Sequence, residues 1–274
     1  MDCSALARLQ IPTLSFKTMK ILILFSGGLD SLIMKRYAEV NYPDAEVVCA
    51  FYDIGQEYNH KEVAALPPFV EQLTLDWLTP NVEAQSKDGS DSGNIYIPGR
   101  NLVLAVAAAC KYLPDQVWLG ALLGEVHESA TDKNWKFLDQ ASDTLSYVLS
   151  PFKPNGVQVK FPLANAGFNK LTATKWALDN GVPVEAILKS SSCLSGEHGN
   201  CGKCVVCFRR WGIFKQLGIP EEQYNVHPLE STENELIAAE MLLGTYYDEH
   251  RIQEIVPALP DWYKEKVIEK YRTK

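Results

Sequence analysis

No stretch of this chain approaches the roughly 20 apolar residues of a membrane span, and no apolar core behind a basic start marks a secretory signal. No fixed period recurs and no tract has low complexity, which excludes solenoids and repeat arrays. Positive charge is scarce: 26 Lys and Arg against 34 Asp and Glu leave a net charge of −8, with a pI of about 5.2. A large phosphate-binding surface is disfavoured by that balance, so neither nucleic acid nor a membrane is expected as a partner. The Walker pattern G-x-x-x-x-G-K-[ST] is missing, as is G-x-G-x-x-G, which removes the P-loop and the Rossmann dinucleotide loop. Seven cysteines without a signal peptide point to a reducing, cytoplasmic compartment and to metal or catalytic use.

What is present is ordinary for a soluble globular enzyme of 274 residues, 46% hydrophobic and 22% charged. Strand and helix patterns alternate from Lys20 onward, which predicts an α/β fold with a parallel sheet. Three regions are expected. Residues 1–18 are an N-terminal extension, read equally well as an arm, a leader or residues ahead of a start at Met19. Residues 19–189 form the α/β domain, and 190–274 a cysteine-bearing segment followed by a helical tail. Strands are expected at 20–25, 46–52, 117–121 and 157–161, with a weak one at 73–78, and a long polar loop at 79–93. Helices are expected over about 30–40, 102–112, 133–149 and 169–180, and from near Asn59 to before Pro67. Behind the cysteines a helix runs through about 217, and the tail 233–274 reads as two amphipathic helices broken near Pro257 and Pro260.

Residues 25–31 read Phe-Ser-Gly-Gly-Leu-Asp-Ser directly behind the apolar run Lys20–Leu24. A strand that enters a glycine turn and then a helix is built to hold phosphate. Gly27 and Gly28 allow close backbone approach, Ser26 and Ser31 add hydroxyls, and the helix start offers unpaired N–H groups. Asp30 is out of place beside phosphate unless it helps to hold Mg²⁺ or caps the helix.

Cys193, Cys201, Cys204 and Cys207 give C-x7-C-x2-C-x2-C within the string CLSGEHGNCGKCVVC. Four thiolates at such spacing suit tetrahedral Zn²⁺ in a structural role, because a complete set of four cysteines leaves no open position. An iron–sulfur cluster also accepts four cysteines. His198 is a surplus loop residue, and Cys49 and Cys110 are expected to be buried small hydrophobes.

The string Ser-Gly-Gly-x-Asp-Ser resembles the PP-loop of the N-type ATP pyrophosphatases. The combination of that loop with Tyr52-Asp53-Ile54-Gly55-Gln56, Pro98-Gly99-Arg100-Asn101, Phe161-Pro162-Leu163, the cysteine segment and Phe208-Arg209-Arg210 is narrower. In order and spacing, over roughly residues 20–217, it resembles the 7-cyano-7-deazaguanine synthase family. The resemblance implies a parallel sheet of adenine-nucleotide-hydrolase type with a small zinc knuckle, and ATP, Mg²⁺ and Zn²⁺ as cofactors. It implies a ligase that adenylates the carboxylate of 7-carboxy-7-deazaguanine, admits ammonia to form the amide, and activates the amide oxygen again to form the nitrile. By that carry-over Ser26, Gly27, Gly28, Leu29, Asp30 and Ser31 bind the ATP phosphates, and Asp53 and Gly55 lie near the nucleotide. Arg100, Asn101, Glu125 and Asp132 bind the substrate, Asp30, Ser31 and Arg100 are catalytic, and the four cysteines hold zinc.

One segment departs from the family's pattern. Where Y-P-D-C-R is usual, this chain has Ser129-Ala130-Thr131-Asp132-Lys133-Asn134, in which only Asp132 matches. A divergent member would stop at the amide or join the activated carboxylate to another amine, such as one on a protein. A tRNA-modifying PP-loop enzyme is a further reading, opposed by the acidic balance, and a nucleotide-binding module without turnover is another. Apolar faces on the C-terminal helices would suit a homodimer and intramolecular docking equally well.

Overall fold

The run Lys20–Leu24 becomes β1, with Ile21, Leu22 and Ile23 all fully buried. Burial of consecutive residues means that both faces of the strand are covered, as in a parallel sheet flanked by helices. The structure, a computed structural model, describes residues 18–56, 58–75, 97, 99–128, 130–245 and 248–272. Around β1 lie β2 (Glu46–Asp53), β3 (Glu71–Thr74), β4 (Gln116–Trp118) and β5 (Gln158–Lys160), in the spatial order β3-β2-β1-β4-β5. Every pairing is parallel, with Ile21 beside Val47 of β2 on one side and Gln116 of β4 on the other. The chain leaves β1 towards β2 and later returns to β4, so the strand order reverses between β1 and β4. Open α/β sheets bind ligands outside the carboxyl ends of the strands at that crevice.

The helices are α1 (Leu29–Asn41), α2 (Asn59–Ala65), α3 (Arg100–Tyr112), α4 (Trp135–Val148), α5 (Pro162–Asn165), α6 (Lys170–Asp179), α7 (Val184–Lys189) and α8 (Val205–Leu217). They are followed by α9 (Thr232–Leu243), α10 (Glu249–Ile255) and α11 (Asp261–Tyr271). On one face of the sheet, Ile21 and Ile23 join Ile33 and Met34 of α1 and Ala173 and Ala177 of α6 in one cluster. On the other, Leu22, Val117 and Val159 join Ala105, Ala108 and Ala109 of α3 and Phe137, Leu138 and Ala141 of α4. The alanines recur at the spacing of a single helix face, which lets α3 lie close to the sheet. At the amino end of the sheet, Asp115 accepts the Lys20 N–H at 2.7 Å and pairs with the buried Lys153. A third cluster joins Phe208 and Trp211 of α8 to Ala238, Ile255, Tyr263 and Val267 of the C-terminal helices.

The parallel α/β architecture is the expected one, and several boundaries differ. The expected strand at 73–78 starts earlier, as β3, and its last three residues lie outside the described ones, as does the loop 79–93. The segment 117–121 is hydrogen-bonded as strand only through Trp118, although Leu119 still donates to the Lys160 carbonyl at 2.9 Å. Among the described residues the tail holds three α-helices in place of the two expected, because Gly244 at φ +70° caps α9 before the proline break. Cys110 is exposed, a correction: it follows Ala108 and Ala109 on α3 but lies off their buried stripe. Cys49 is buried as expected, and burial pushes its thiol up to about 12. Of the N-terminal extension only Thr18 lies among the described residues.

Candidate active site

At the carboxyl end of β1 the chain turns through Ser26, Gly27 and Gly28 into α1. Gly27 sits at φ +71°, and a Cβ there would stand 2.6 Å from the Glu62 carbonyl oxygen of α2. Only glycine meets both demands. Gly28 is the extended N-cap of α1, and Ser31 returns a hydrogen bond from its hydroxyl to the Gly28 carbonyl at 2.8 Å. The Ser191 N–H donates to the Gly27 carbonyl at 2.9 Å, so the strand-like segment before the cysteines braces the loop from behind.

This loop forms one end of a cavity of about 850 Å³. Ser26, Gly28, Leu29, Asp30 and Ser31 line it, together with Arg100, Asn101, Glu125 and Asp132. Residues far apart in the sequence are therefore brought to one space. Gly27 faces α2 instead. Asp53 and Gly55 do not line the cavity, while their neighbours Ile54 and Gln56 do. The Asp53 carboxylate accepts the Gly55 N–H at 2.8 Å and shapes that turn.

Arg100 opens α3 after Gly99, whose φ of +71° only glycine adopts easily, and Tyr58 hydrogen-bonds to Arg100 and Gln56. Asn101, mostly buried, donates from its amide to the Asp132 carbonyl at 3.0 Å, tying the 130–133 segment to the helix start. Pro98 and Ser129, both part of the resemblance or its departure, lie outside the described residues.

Charges concentrate near the first turn of α1. Lys170 reaches Asp30 at 3.3 Å, leaving the other carboxylate oxygen of Asp30 buried with no hydrogen-bond partner among the described residues. Arg209 pairs with Glu254 at 2.6 Å and with Glu125 at 3.3 Å. Burial alone would raise the Glu125 carboxyl, but Lys133, Arg209, Lys170 and Arg251 outweigh it and hold that acid below the usual carboxylate range. The neighbouring Arg210 is structural: it grips Glu222 twice at 2.7 Å and binds Ser190, Ser192 and the Ile187 carbonyl, fixing the approach to the cysteines.

Glu62, Lys170, Arg209 and Arg251 line the cavity, and the sequence reading assigns a role to none of them. Burial pushes the Glu62 carboxyl up to about 7, with Arg100 pulling the other way and Asp53 adding to the rise. Lys170 carries a signal. A cation at the first position of a helix opposes the dipole, and this one follows a capping box at Asn169, so its place asks for an anion. Arg209 carries one too, as a charge inside a helix whose first turns are otherwise apolar, Arg210 aside. Glu62 carries none.

The four cysteine ligand atoms lie within 4.8 Å of one another. Backbone N–H groups of Cys201, Cys204 and Cys207 donate to the sulfurs of Cys193, Cys201 and Cys204, each at 3.4 Å, which favours thiolate. Gly202, at φ +75°, passes so close to the Val226 carbonyl that no side chain fits. The donor set and its compactness fit zinc as a structural knuckle. His198 is not part of it; its ring stacks edge-on against His60 at 5.4 Å.

An all-parallel sheet with a glycine loop, a charged cavity at its switch point and a four-cysteine knuckle behind it defines the class: an α/β protein built around one ligand site. Within that class the chain belongs to the QueC family, since the family described as queuosine biosynthesis protein QueC matches residues 20–218. It is 27% identical over 224 residues to the 7-cyano-7-deazaguanine synthase of a Nitratiruptor species, covering 74% of this chain and 97% of that protein. A Methanosarcina mazei protein of the same name is 27% identical over 239 residues, 74% of this chain and 96% of that one. The protein of a Caulobacter species, named alike, is 28% identical over 237 residues, covering 73% and 92%. No helix among the described residues is long and apolar enough to cross a membrane.

Proposed function

We propose that the chain is an ATP-dependent carbon–nitrogen ligase that converts 7-carboxy-7-deazaguanine into 7-cyano-7-deazaguanine. The observation that carries this reading is the sharing of one cavity by the loop Ser26–Ser31 and the Arg100–Asn101 and Asp132 segments. A carboxylate oxygen is a poor leaving group until adenylated. It attacks the α-phosphorus of ATP, the bond to the β-phosphate breaks, and pyrophosphate departs. Ammonia then adds to the acyl carbon and AMP leaves, giving the amide. Adenylation of the amide oxygen by a second ATP, followed by loss of AMP and protons, gives the nitrile.

The residues have distinct parts in this scheme. Charge grows on the departing pyrophosphate, and the first N–H groups of α1, the Ser26 and Ser31 hydroxyls, Lys170 and Arg209 are arranged to meet it. Mg²⁺, when bound, would shield phosphate charge, and the Asp30 oxygen that has no hydrogen-bond partner among the described residues is the donor that fits it. Arg100 and Asn101 orient the carboxylate, while Tyr52, Ile54, Ile97, Leu104 and Leu119 offer an apolar wall for flat heterocycles. Glu62, with its carboxyl near 7, takes the proton that ammonium gives up as it becomes a nucleophile.

The segment 130–133 favours a second reading. With Thr131, Asp132 and Lys133 lining the cavity in place of an aromatic and a guanidinium, the product would be the amide or a conjugate with another amine. Incubation with Mg·ATP, 7-carboxy-7-deazaguanine and ammonium, following pyrophosphate and product mass, separates these. A nitrile supports the first reading and an amide the second; no pyrophosphate dependent on the deazaguanine sinks both.

A further inference from the structure

The family match ends at residue 218, yet the region beyond it reaches into the cavity. Helix α10 is fixed there by several independent contacts. Glu254, almost wholly buried, accepts the Lys170 backbone N–H at 2.9 Å and pairs with Arg209. Gln216 donates to the Gln253 and Glu254 carbonyls at 3.2 and 2.9 Å, and a Cβ on Gly212 would come 2.6 Å from that Glu254 oxygen. Asp248, which caps α10 through the His250 N–H at 2.8 Å, lies so near Gly124 that a Cβ there would stand 2.5 Å from its carboxylate.

On this clamped helix, Arg251 lines the cavity. Its Nε is buried and has no hydrogen-bond partner among the described residues. A buried N–H left unpaired is costly, and native structures rarely keep one without a use. Lys133, Lys170, Arg209 and Arg251 all act on the Glu125 carboxylate, and Lys170 and Arg209 also pair with Asp30 and Glu254. Lys170 and Arg209 already hold carboxylates of their own, whereas Arg251 makes no ion pair within 4 Å among the described residues and is the cation left to meet an incoming anion. Through Lys170 the cluster reaches Asp30 in the first turn of α1, next to the glycine loop.

We propose that Arg251 binds the polyphosphate of the nucleotide, so that the helical region beyond the family match completes the pyrophosphate side of the cavity. The proposal rests on the reading of the cavity as an adenylating site. A guanidinium suits this role, since its fork of donors matches phosphate oxygens and it cannot lose its charge.

Binding of inorganic pyrophosphate with Mg²⁺, measured by calorimetry on the full chain, tests it without turnover. Arg251→Gln is expected to weaken pyrophosphate binding about tenfold, as the loss of one charge-assisted hydrogen bond implies, and Arg251→Lys to restore part of it. Melting curves of both variants show whether they fold as the parent does, and a pyrophosphate affinity unchanged in a folded Arg251→Gln protein overturns the proposal. If instead that variant loses affinity for 7-carboxy-7-deazaguanine alone, Arg251 serves the carboxylate and the phosphate assignment is wrong. Should the unaltered protein bind neither ATP nor pyrophosphate, the adenylating reading itself falls, and the proposal with it.

Discussion

The two ends of the cavity are built by different means. At the phosphate-loop end, one unbroken segment, Phe25 to Ser31, forms the loop, and backbone geometry shapes it: the end of β1, a glycine at φ +71° and the start of α1. At the other end, Arg100, Asn101 and Asp132 come from separate stretches of chain joined by side-chain bonds such as Asn101 to the Asp132 carbonyl at 3.0 Å. Backbone-built sites tolerate almost no substitution, whereas side chains on separate segments can be exchanged one at a time. Activation of an oxygen is thus the fixed half of the proposed chemistry, and the choice of that oxygen's owner is the adjustable half.

The largest effect is expected from the platform both ends share. The cysteine knuckle leads directly into α8, which carries Arg209, and Ser191 just ahead of it braces the loop. Structural zinc contributes on the order of 10 kcal/mol in isolated knuckles, so stripping it with a strong chelator, or making Cys201→Ala, should lower the melting temperature more than any single change in the cavity. Elemental analysis should return one zinc per chain beforehand. A chelated, metal-free protein with an unchanged melting curve would remove zinc from the architecture.

Gly27→Ala is expected to come next, because it breaks the join between the ends. Positive φ costs a non-glycine residue about 1–3 kcal/mol, and the new methyl pushes against the Glu62 carbonyl of α2. A shift of about 1 Å in reacting groups can cost ~10²-fold in rate, so pyrophosphate release should fall by that order while the protein stays folded by circular dichroism. Near-normal turnover would mean that α2 is free to move and that the two ends are less tightly coupled than their geometry implies.

How much of this is legible in the sequence follows the same division. The glycine loop, the strand behind it, the parallel sheet and the cysteine spacing can be read because each is a local pattern with one dominant physical cause. Arg100, Asn101, Glu125 and Asp132 enter only through resemblance, and the cavity does gather them. Asp53 and Gly55, taken from the same matching string as Gln56, shape a turn beside the cavity. A two-residue turn places neighbours on opposite sides, and nothing in the string says which pair faces inward. Glu62 and Arg251 are invisible in the sequence because their roles depend on what α2 and α10 pack against, which no short-range pattern encodes. Lys170 and Arg209 are visible in principle, as charges where helix electrostatics and burial disfavour them.

Glu62 sharpens the comparison, since it stands on α2 between the ends, with Arg100, Tyr58 and Asp53 as its polar neighbours. If its carboxylate accepts the ammonium proton, amide formation compared at equal free ammonia should rise with an apparent pKa near 7. Glu62→Gln should flatten that rise and lower the plateau by about 10²-fold, the lower range for a general base. Stability should move the other way. The folded protein holds this proton up to about 7, while the unfolded chain releases it near the ordinary value of 4.5. Between those values the folded state binds more protons, so stability falls as pH rises through the window. Glu62→Gln should remove that decline, visible as flatter melting temperatures from acid to neutral pH. A rate profile unchanged by the substitution would leave Glu62 as a wall residue only.

The smallest effect is expected at Asn101, and it is the most discriminating. Its amide holds the Asp132 carbonyl, and with it the segment that departs from the family's pattern. A neutral hydrogen bond contributes about 0.5–1.5 kcal/mol, so Asn101→Ala should raise the KM for the deazaguanine carboxylate by about threefold to tenfold. The KM for ATP should stay where it was, because among the described residues no hydrogen bond joins Asn101 to the loop Ser26–Ser31. Equal rises in both constants would show that loosening the 130–133 segment disturbs the phosphate loop as well, and the division into a fixed and an adjustable end would fail. A rise for the carboxylate alone, with the nitrile-to-amide ratio altered, would locate the choice of product in that segment.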